Sequence, residues 1–251
     1  MHSYSFLKYK DKRLFLFTAL ICITTIFFAL CYQPSNNWRW NKKYNYLKKV
    51  KPIKFYYNHG VLAGSYPEGI EMTEIRFDDV CAYLGHVCLC GAGGYRIATL
   101  VVDSLSKNYG LLERGEFVLV SSRDHTISGV IAYILGVSKR QDKEKSTYFI
   151  DNSIEAPRRE YHYFIGSRET KTAFHVTYKK YNLIGHAAMD SLWKIEKQFD
   201  IDPASVHESD IKKYGKAMEK MVREVITGKR DSDLFEIKGV SYEDTFSKFI
   251  K

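Results

Sequence analysis

Proline is scarce in this chain, five residues in 251, and no internal repeat or low-complexity tract interrupts it. Hydrophobic residues make up 45% and charged residues 27%, so disorder is not the default and the chain is long enough to bury a real core. Cysteine is also sparse. Five are too few for a disulfide-stapled scaffold, and two of them, Cys22 and Cys31, fall in an apolar run. The other three, Cys81, Cys88 and Cys90, fall within ten residues of one another.

Several chemical signatures are missing altogether. The chain has no G-x-S-x-G, H-E-x-x-H or C-x-x-C-H, which leaves the acyl hydrolase, zincin and c-type haem classes without support. It has no G-x-x-x-x-G-K-[ST], and no strand runs into a G-x-G-x-x-G turn, so nucleotide binding is a weak reading.

Charge is absent from Leu14 to Tyr32, "LFLFTALICITTIFFALCY". At about 1.5 Å per residue, a helix of that length just spans a bilayer core. The run is too long, and its end too bulky, for a cleaved signal peptide, so it predicts a single-pass transmembrane anchor.

Acidic residues are absent from the stretch after the anchor. It carries Arg39, Lys42, Lys43, Lys48, Lys49, Lys51 and Lys54 uncompensated, and the tail before the anchor contributes a further +3. The formal net charge of +9 is therefore concentrated beside the membrane, and the chain from Phe55 onward sums to −1. Anionic lipid head groups account for this pattern better than DNA or RNA, and no nucleic-acid partner is expected. Trp38 and Trp40 suit the membrane interface. A short tail before an anchor places the C-terminal domain outside the cytoplasm, although the seven later charges pull the other way. The protein partner and any homo-oligomeric state are left open.

The chain divides into a basic tail (1–13), the anchor (14–32), an aromatic and basic connector (33–69), a folded domain (70–227) and a C-terminal tail (228–251). Within the domain, periodicity predicts a short helix ending at Gly85, a long one closed by Gly110, a strand in "GEFVLVSS" and a second helix in "DHTISGVIAYILG", capped by Asp124 or Thr126. "EYHYFIGSRE" and "TKTAFHVTYKK" alternate as strands, with "STYFI" as a further pairing candidate. Asp190–Phe199 and Glu208–Thr227 read as helices. The predicted fold class is α+β: a mixed or antiparallel sheet of about four or more strands with packed helices, preceded by the membrane helix.

The densest chemistry lies in "GHVCLCGAGGYR", Gly85 to Arg96. His86 and Cys88, two apart in an extended loop, can face one side, and Cys90 joins them if the loop stays extended. A following helix N-terminus favours the thiolate. His125, just after a strand, is a candidate ligand from elsewhere in the chain, with Asp124 as ligand or partner. Against this, one local H-x-C-x-C triplet cannot close a tetrahedron alone, and free cysteines are often small buried hydrophobes. His162 and His175, on alternating strands, read as structural.

"YLGHVCLCGAGGYRIATLVVDSL" resembles the signature region of the FmdE domain family, named after formylmethanofuran dehydrogenase: H-G-H-x-C-P-G, small residues, G-Y and a long helix. "RGEFVLVSSRDHTISGVIAYILG", "FIGSRETKTAFHVTYKK" and "IDPASVHESDIKKYGKAMEKMVREVI" are similar to the family's strand and second helix, its hairpin, and the closing helices of its shorter bacterial members. The resemblance covers roughly Ile70 to Ile226. It implies an α+β domain holding a divalent metal, zinc-like, with His86 on the second signature histidine and Cys88 on the signature cysteine.

The chain departs from the signature at Leu84, where the first histidine belongs, and at Leu89 and Cys90, where proline and glycine belong. Where many members have a cysteine just before the second helix, Thr126 stands beside His125. The expected ligand set is therefore His86 and Cys88, completed by Cys90 and His125. The resemblance does not imply formyl transfer, since nothing here looks like a molybdopterin site or an iron–sulfur spacing. Three functions stay open: a membrane-anchored metal-binding accessory domain, a metal-dependent enzyme activating water with Asp124 or His125 as base, and a metal-free interaction domain.

Overall fold

The computed structural model describes residues 39–140, 146–156 and 160–250. The apolar run at 14–32 lies outside them. Among the described residues, no helix is long and apolar enough to cross a membrane. The chain separates into Met1–Asn41 and a compact unit, Lys42–Lys251, which carries every element named below.

The unit begins with a 3-10 helix, Lys42–Lys49, which buries Tyr44 and Leu47. Strands β1 (Ile53–Tyr56) and β2 (Met72–Ile75) form a separate antiparallel ribbon, with the short helix α1 (Asn58–Leu62) between them. The run "MTEIRFDDVCAYLG", which leads to the helix end expected at Gly85, is thus divided. Its first residues are β2, and α2 covers Phe77–Leu84, ending at Gly85 in the left-handed conformation (φ 78°).

Helix α3 (Leu89–Tyr109) is the axis of the domain, and Gly110 follows it with φ 76°. Its buried face includes Leu89, Ala92, Tyr95, Ile97, Ala98, Val101 and Leu105. It packs on α2, on α4 (Ile127–Leu135), on the amphipathic α6 (Glu208–Ile226) and on strand β6 (Thr172–Tyr178). Helix α5 (His186–Ile201) lies against α6.

The five-stranded sheet runs in the order β4-β3-β5-β6-β7. Strands β3 (Phe117–Ser121), β5 (Tyr161–Ser167), β6 (Thr172–Tyr178) and β7 (Phe235–Ser241) pair antiparallel. Strand β4 (Tyr148–Ile150) pairs parallel with β3, after α4 has carried the chain across, and does not join the hairpin. The segment read from sequence as a C-terminal tail supplies β7, the short helix α7 (Asp231–Leu234) before it and α8 (Tyr242–Phe246) after it. Tyr242 and Phe246 cover Val118, Val120 and Ala173 in a second small core on the far face of the sheet. The domain is α+β with a mixed sheet, as composition and periodicity predict.

The glycines of "CGAGGY" serve the packing of α3. A Cβ on Gly91 would fall 2.8 Å from Leu84 Cδ1, and one on Gly93 2.5 Å from Tyr178 Cε1. A Cβ on Gly94 would meet Val130 Cγ1 at 2.7 Å and the Ile127 carbonyl oxygen at 3.0 Å. Each glycine lets a different neighbour approach the helix backbone, which explains a glycine-rich helix start without a phosphate.

Gly94→Ala is expected to lower the unfolding free energy by about 1–3 kcal/mol, because Val130 and backbone must give way. Gly239→Ala, with nothing within 4 Å, is expected to stay within about 0.5 kcal/mol. Urea denaturation checks both, and equal costs would contradict the packing account.

Candidate functional site

The chain turns out of α2 at Gly85 and enters α3 at Cys88, so the signature residues sit on a connection only a few residues long. His86 is exposed, and its Nδ1 lies 3.0 Å from the Leu84 carbonyl oxygen. Cys88 is the N-cap of α3, its Sγ accepting from the Gly91 N–H at 3.3 Å. A sulfur here does the work usually given to a Ser or Asp oxygen. His125 is also exposed, with Nδ1 2.6 Å from Thr126 Oγ1.

Asp124 helps start α4, accepting from the Ser128 N–H at 2.8 Å and the Ser128 hydroxyl at 3.0 Å. It also accepts from the Tyr163 hydroxyl at 2.8 Å, and Tyr148 donates to Ser128 Oγ at 2.7 Å. Burial raises the Asp124 carboxyl above the ordinary range, against the lowering effect of those donors. With both oxygens engaged, this carboxylate ties α4 to β5 and is poorly placed as a free general base.

Cys90 has a neighbour that the sequence did not announce. Lys180, at the start of a 3-10 helix that follows β6, is 3% exposed, and its Nζ stands 3.7 Å from Cys90 Sγ. The ammonium lies 4.6 Å from the centre of a Trp193 ring and 5.4 Å from the Tyr161 ring. Among the described residues, no carboxylate comes within ion-pair distance of it. Cation–π contacts are worth roughly 0.5–2 kcal/mol each, which only partly offsets burying an ammonium-sized charge. Cys90, Trp193 and Tyr161 are partly exposed, while Lys180 itself is buried.

A second buried donor lies one turn along the same helix face. The Tyr178 hydroxyl is fully buried against Gly93 and, among the described residues, has no hydrogen-bond partner. Because Cys90 and Gly93 are three residues apart on α3, Lys180 and Tyr178 approach neighbouring positions on it.

Electrostatics set the protonation of the thiols. Burial pushes Cys90 up to about 11, with the Lys180 charge opposing it. Burial likewise raises Cys88, against the Gly91 and Cys90 N–H groups. The favouring of thiolate expected from the helix N-terminus is outweighed by desolvation. Both sulfurs are thiols at neutral pH.

The four residues expected to share a metal do not converge. Among the described residues, no group of three or more His, Cys, Asp or Glu side chains is placed to hold a metal ion. His86 and His125 are exposed and engage their own neighbours, while Cys90 meets a cation. The donor set therefore does not fit a zinc centre in this arrangement. His162 and His175 pair across β5 and β6, Nδ1 to Nε2 at 3.0 Å, and Phe164 stacks on His175.

The chain folds as an α+β domain whose central helix begins beside a thiol–ammonium contact. Comparison with protein-family models, curated proteins and solved structures returned no match.

The Cys90 shift has a consequence for stability at alkaline pH. The folded state holds the Cys90 proton more tightly (about 11) than the unfolded chain does (9.0). Its contribution is complete below pH 9.0 and is lost as pH rises toward about 11. Chemical denaturation across that window is expected to show a shallower loss for Cys90→Ala than for the parent, and identical slopes would contradict the assignment.

Proposed function

We propose that this chain is a membrane-tethered binding domain of the FmdE type in which the start of α3 receives a small molecule. In this reading Lys180 supplies the positive charge that a metal ion supplies in the family pattern. The anchor at 14–32 and the lysines after it hold the domain against anionic lipid head groups. The observation that carries the reading is the buried Lys180 ammonium at 3.7 Å from Cys90 Sγ.

A cation beside the sulfur opposes a second cation there, by about 4 kcal/mol for two unit charges 4 Å apart at an effective dielectric constant of 20. The same ammonium invites a ligand that brings acceptors. Cys90 as a thiol, and Asp124 with both oxygens occupied, favour binding over nucleophilic or hydrolytic chemistry.

The competing reading is a metal centre built on Cys88 and Cys90, and elemental analysis separates the two. Full-length protein purified in detergent, without chelators or metal affinity resin, is expected to carry well below one metal per chain. Near-stoichiometric zinc that disappears in a Cys88→Ala, Cys90→Ala variant would overturn the proposal and restore the metal-binding function.

A further inference from the structure

We propose that a cavity between the 3-10 helix Lys42–Lys49, α3 and the end of α6 is a binding site for a phosphate monoester, whether carried by a lipid head group or by a soluble molecule. The site goes beyond the function proposed above, since neither Cys90 nor Lys180 lines it.

The cavity has a volume of about 520 Å³, within the range of roughly 300–1,000 Å³ usual for small-ligand pockets. Its walls are tied in place by contacts distant in the chain. Lys43 Nζ donates to the Gly215 carbonyl oxygen at 3.1 Å and the Tyr46 hydroxyl to that of Glu219 at 3.3 Å, which fastens the 3-10 helix to α6. The Arg223 guanidinium lies over the Tyr46 ring, 4.4 Å from its centre. On the α3 side, the buried Tyr95 places its hydroxyl 2.9 Å from the Lys51 carbonyl oxygen and 3.1 Å from that of Ile75. The basic connector is thus held to α6 and to α3, and the space between them is preformed.

Charge selects the ligand. Lys49, Lys51, Arg96, Arg223 and Lys229 line the cavity against one carboxylate, Asp103. Three of these cations have acidic partners: Lys51 lies 3.8 Å from Asp103, Arg96 pairs with Asp231, and Arg223 pairs with Glu219. Lys49 and Lys229 have none among the described residues. Both arginines hold their carboxylates through Nε and Nη2, which leaves each Nη1 without a hydrogen bond among the described residues. The cavity therefore presents two uncompensated positive charges and two uncommitted guanidinium nitrogens.

Two features oppose an anion. Asp103 is one, and the partial negative charge at the C-terminus of α6 is the other. The second is reduced locally, because the Thr227 and Gly228 N–H groups cap the Arg223 and Val225 carbonyls at 3.2 and 3.0 Å. A phosphate monoester brings about −1.5 to −2 charge at pH 7 and three acceptor oxygens, which matches the two spare lysines. A phosphodiester or a carboxylate brings one charge and leaves a lysine unanswered. Val50, Ile226 and the Tyr46 ring supply an apolar wall for the carbon side of the ester. Because Lys49 and Lys51 belong to the basic connector that follows the apolar run, a lipid head group is one source of such an ester. Only that source depends on the tethering proposed above.

Full-length protein in neutral detergent micelles is titrated calorimetrically, at constant ionic strength, with glycerol 3-phosphate and with the diester glycerophosphoglycerol. Saturable binding of the monoester, about tenfold or more tighter than the diester, is expected. Lys49→Gln and Lys229→Gln are each expected to weaken it about fivefold or more. Lys194→Gln, the same charge change on α5 outside the cavity, is expected to leave it within about twofold. All three lysines are exposed, and an unchanged thermal midpoint verifies that each variant folds.

The source of the ester is read by doping the micelles with phosphatidic acid or, at equal surface charge, with phosphatidylglycerol. Loss of glycerol 3-phosphate affinity with phosphatidic acid alone supports the site and assigns it to a lipid head group. Equal effects of the two lipids support the site and assign it to a soluble ester. No saturable monoester binding, a diester bound as tightly, or a loss in Lys194→Gln matching that in Lys49→Gln would overturn the phosphate site and leave the reading at Lys180 untouched.

Discussion

The rest of the domain depends on how closely α3 is approached at its first two turns. Three glycines in four residues remove the side chains that would hold α2, α4 and β6 away from the helix backbone. Tyr178, stacked on Phe235 of the neighbouring strand, is thereby pressed against Gly93. This contact fixes the end of β6, and the chain that leaves β6 delivers Lys180 to Cys90 two residues later. The position of Lys180 follows from the packing, because a larger residue at Gly93 would displace the strand end that carries the lysine.

The same geometry explains why the sulfurs have different roles. Cys88, at the N-cap, is drawn into the backbone hydrogen bonding of the helix start. Cys90, two residues on, faces the aromatic and cationic side chains that arrive from β6 and α5. His86 and His125 lie on exposed connections and bond locally. A signature that reads as a ligand set along the chain is, in space, a helix cap, a thiol beside a buried ammonium and two exposed histidines.

Much of the fold was legible in the sequence because short-range physics decides it. Gly85 and Gly110 mark helix ends, and the alternating apolar residues from Tyr161 to Tyr178 mark a hairpin with its turn near Lys171 (φ 53°). Strand β7 was missed because "FEIKGVS" is half exposed and its weak alternation gains meaning only from pairing with β6. Helix α3 begins three residues earlier than its apolar periodicity suggests, since small residues at its start pack without forming a stripe. The site was less legible than the fold. His86, Cys88, Cys90 and Asp124 could be named from residue type and spacing, but "TYKKYN" resembles any strand end with surface lysines. The burial of Lys180 is a long-range consequence of α3, α5 and β6 meeting, and no local pattern encodes it.

The central claim is that the start of α3 attracts an anion and rejects a metal cation. A crystal of the full chain grown with bromide and stoichiometric zinc, measured at the bromine and zinc absorption edges, tests it in one experiment. The account predicts an anomalous bromide peak beside Lys180 Nζ and no zinc bonded to sulfur. A zinc peak bonded to Cys88 or Cys90, with Lys180 displaced and no bromide near it, would contradict the account and return the site to the metal centre that the signature implies.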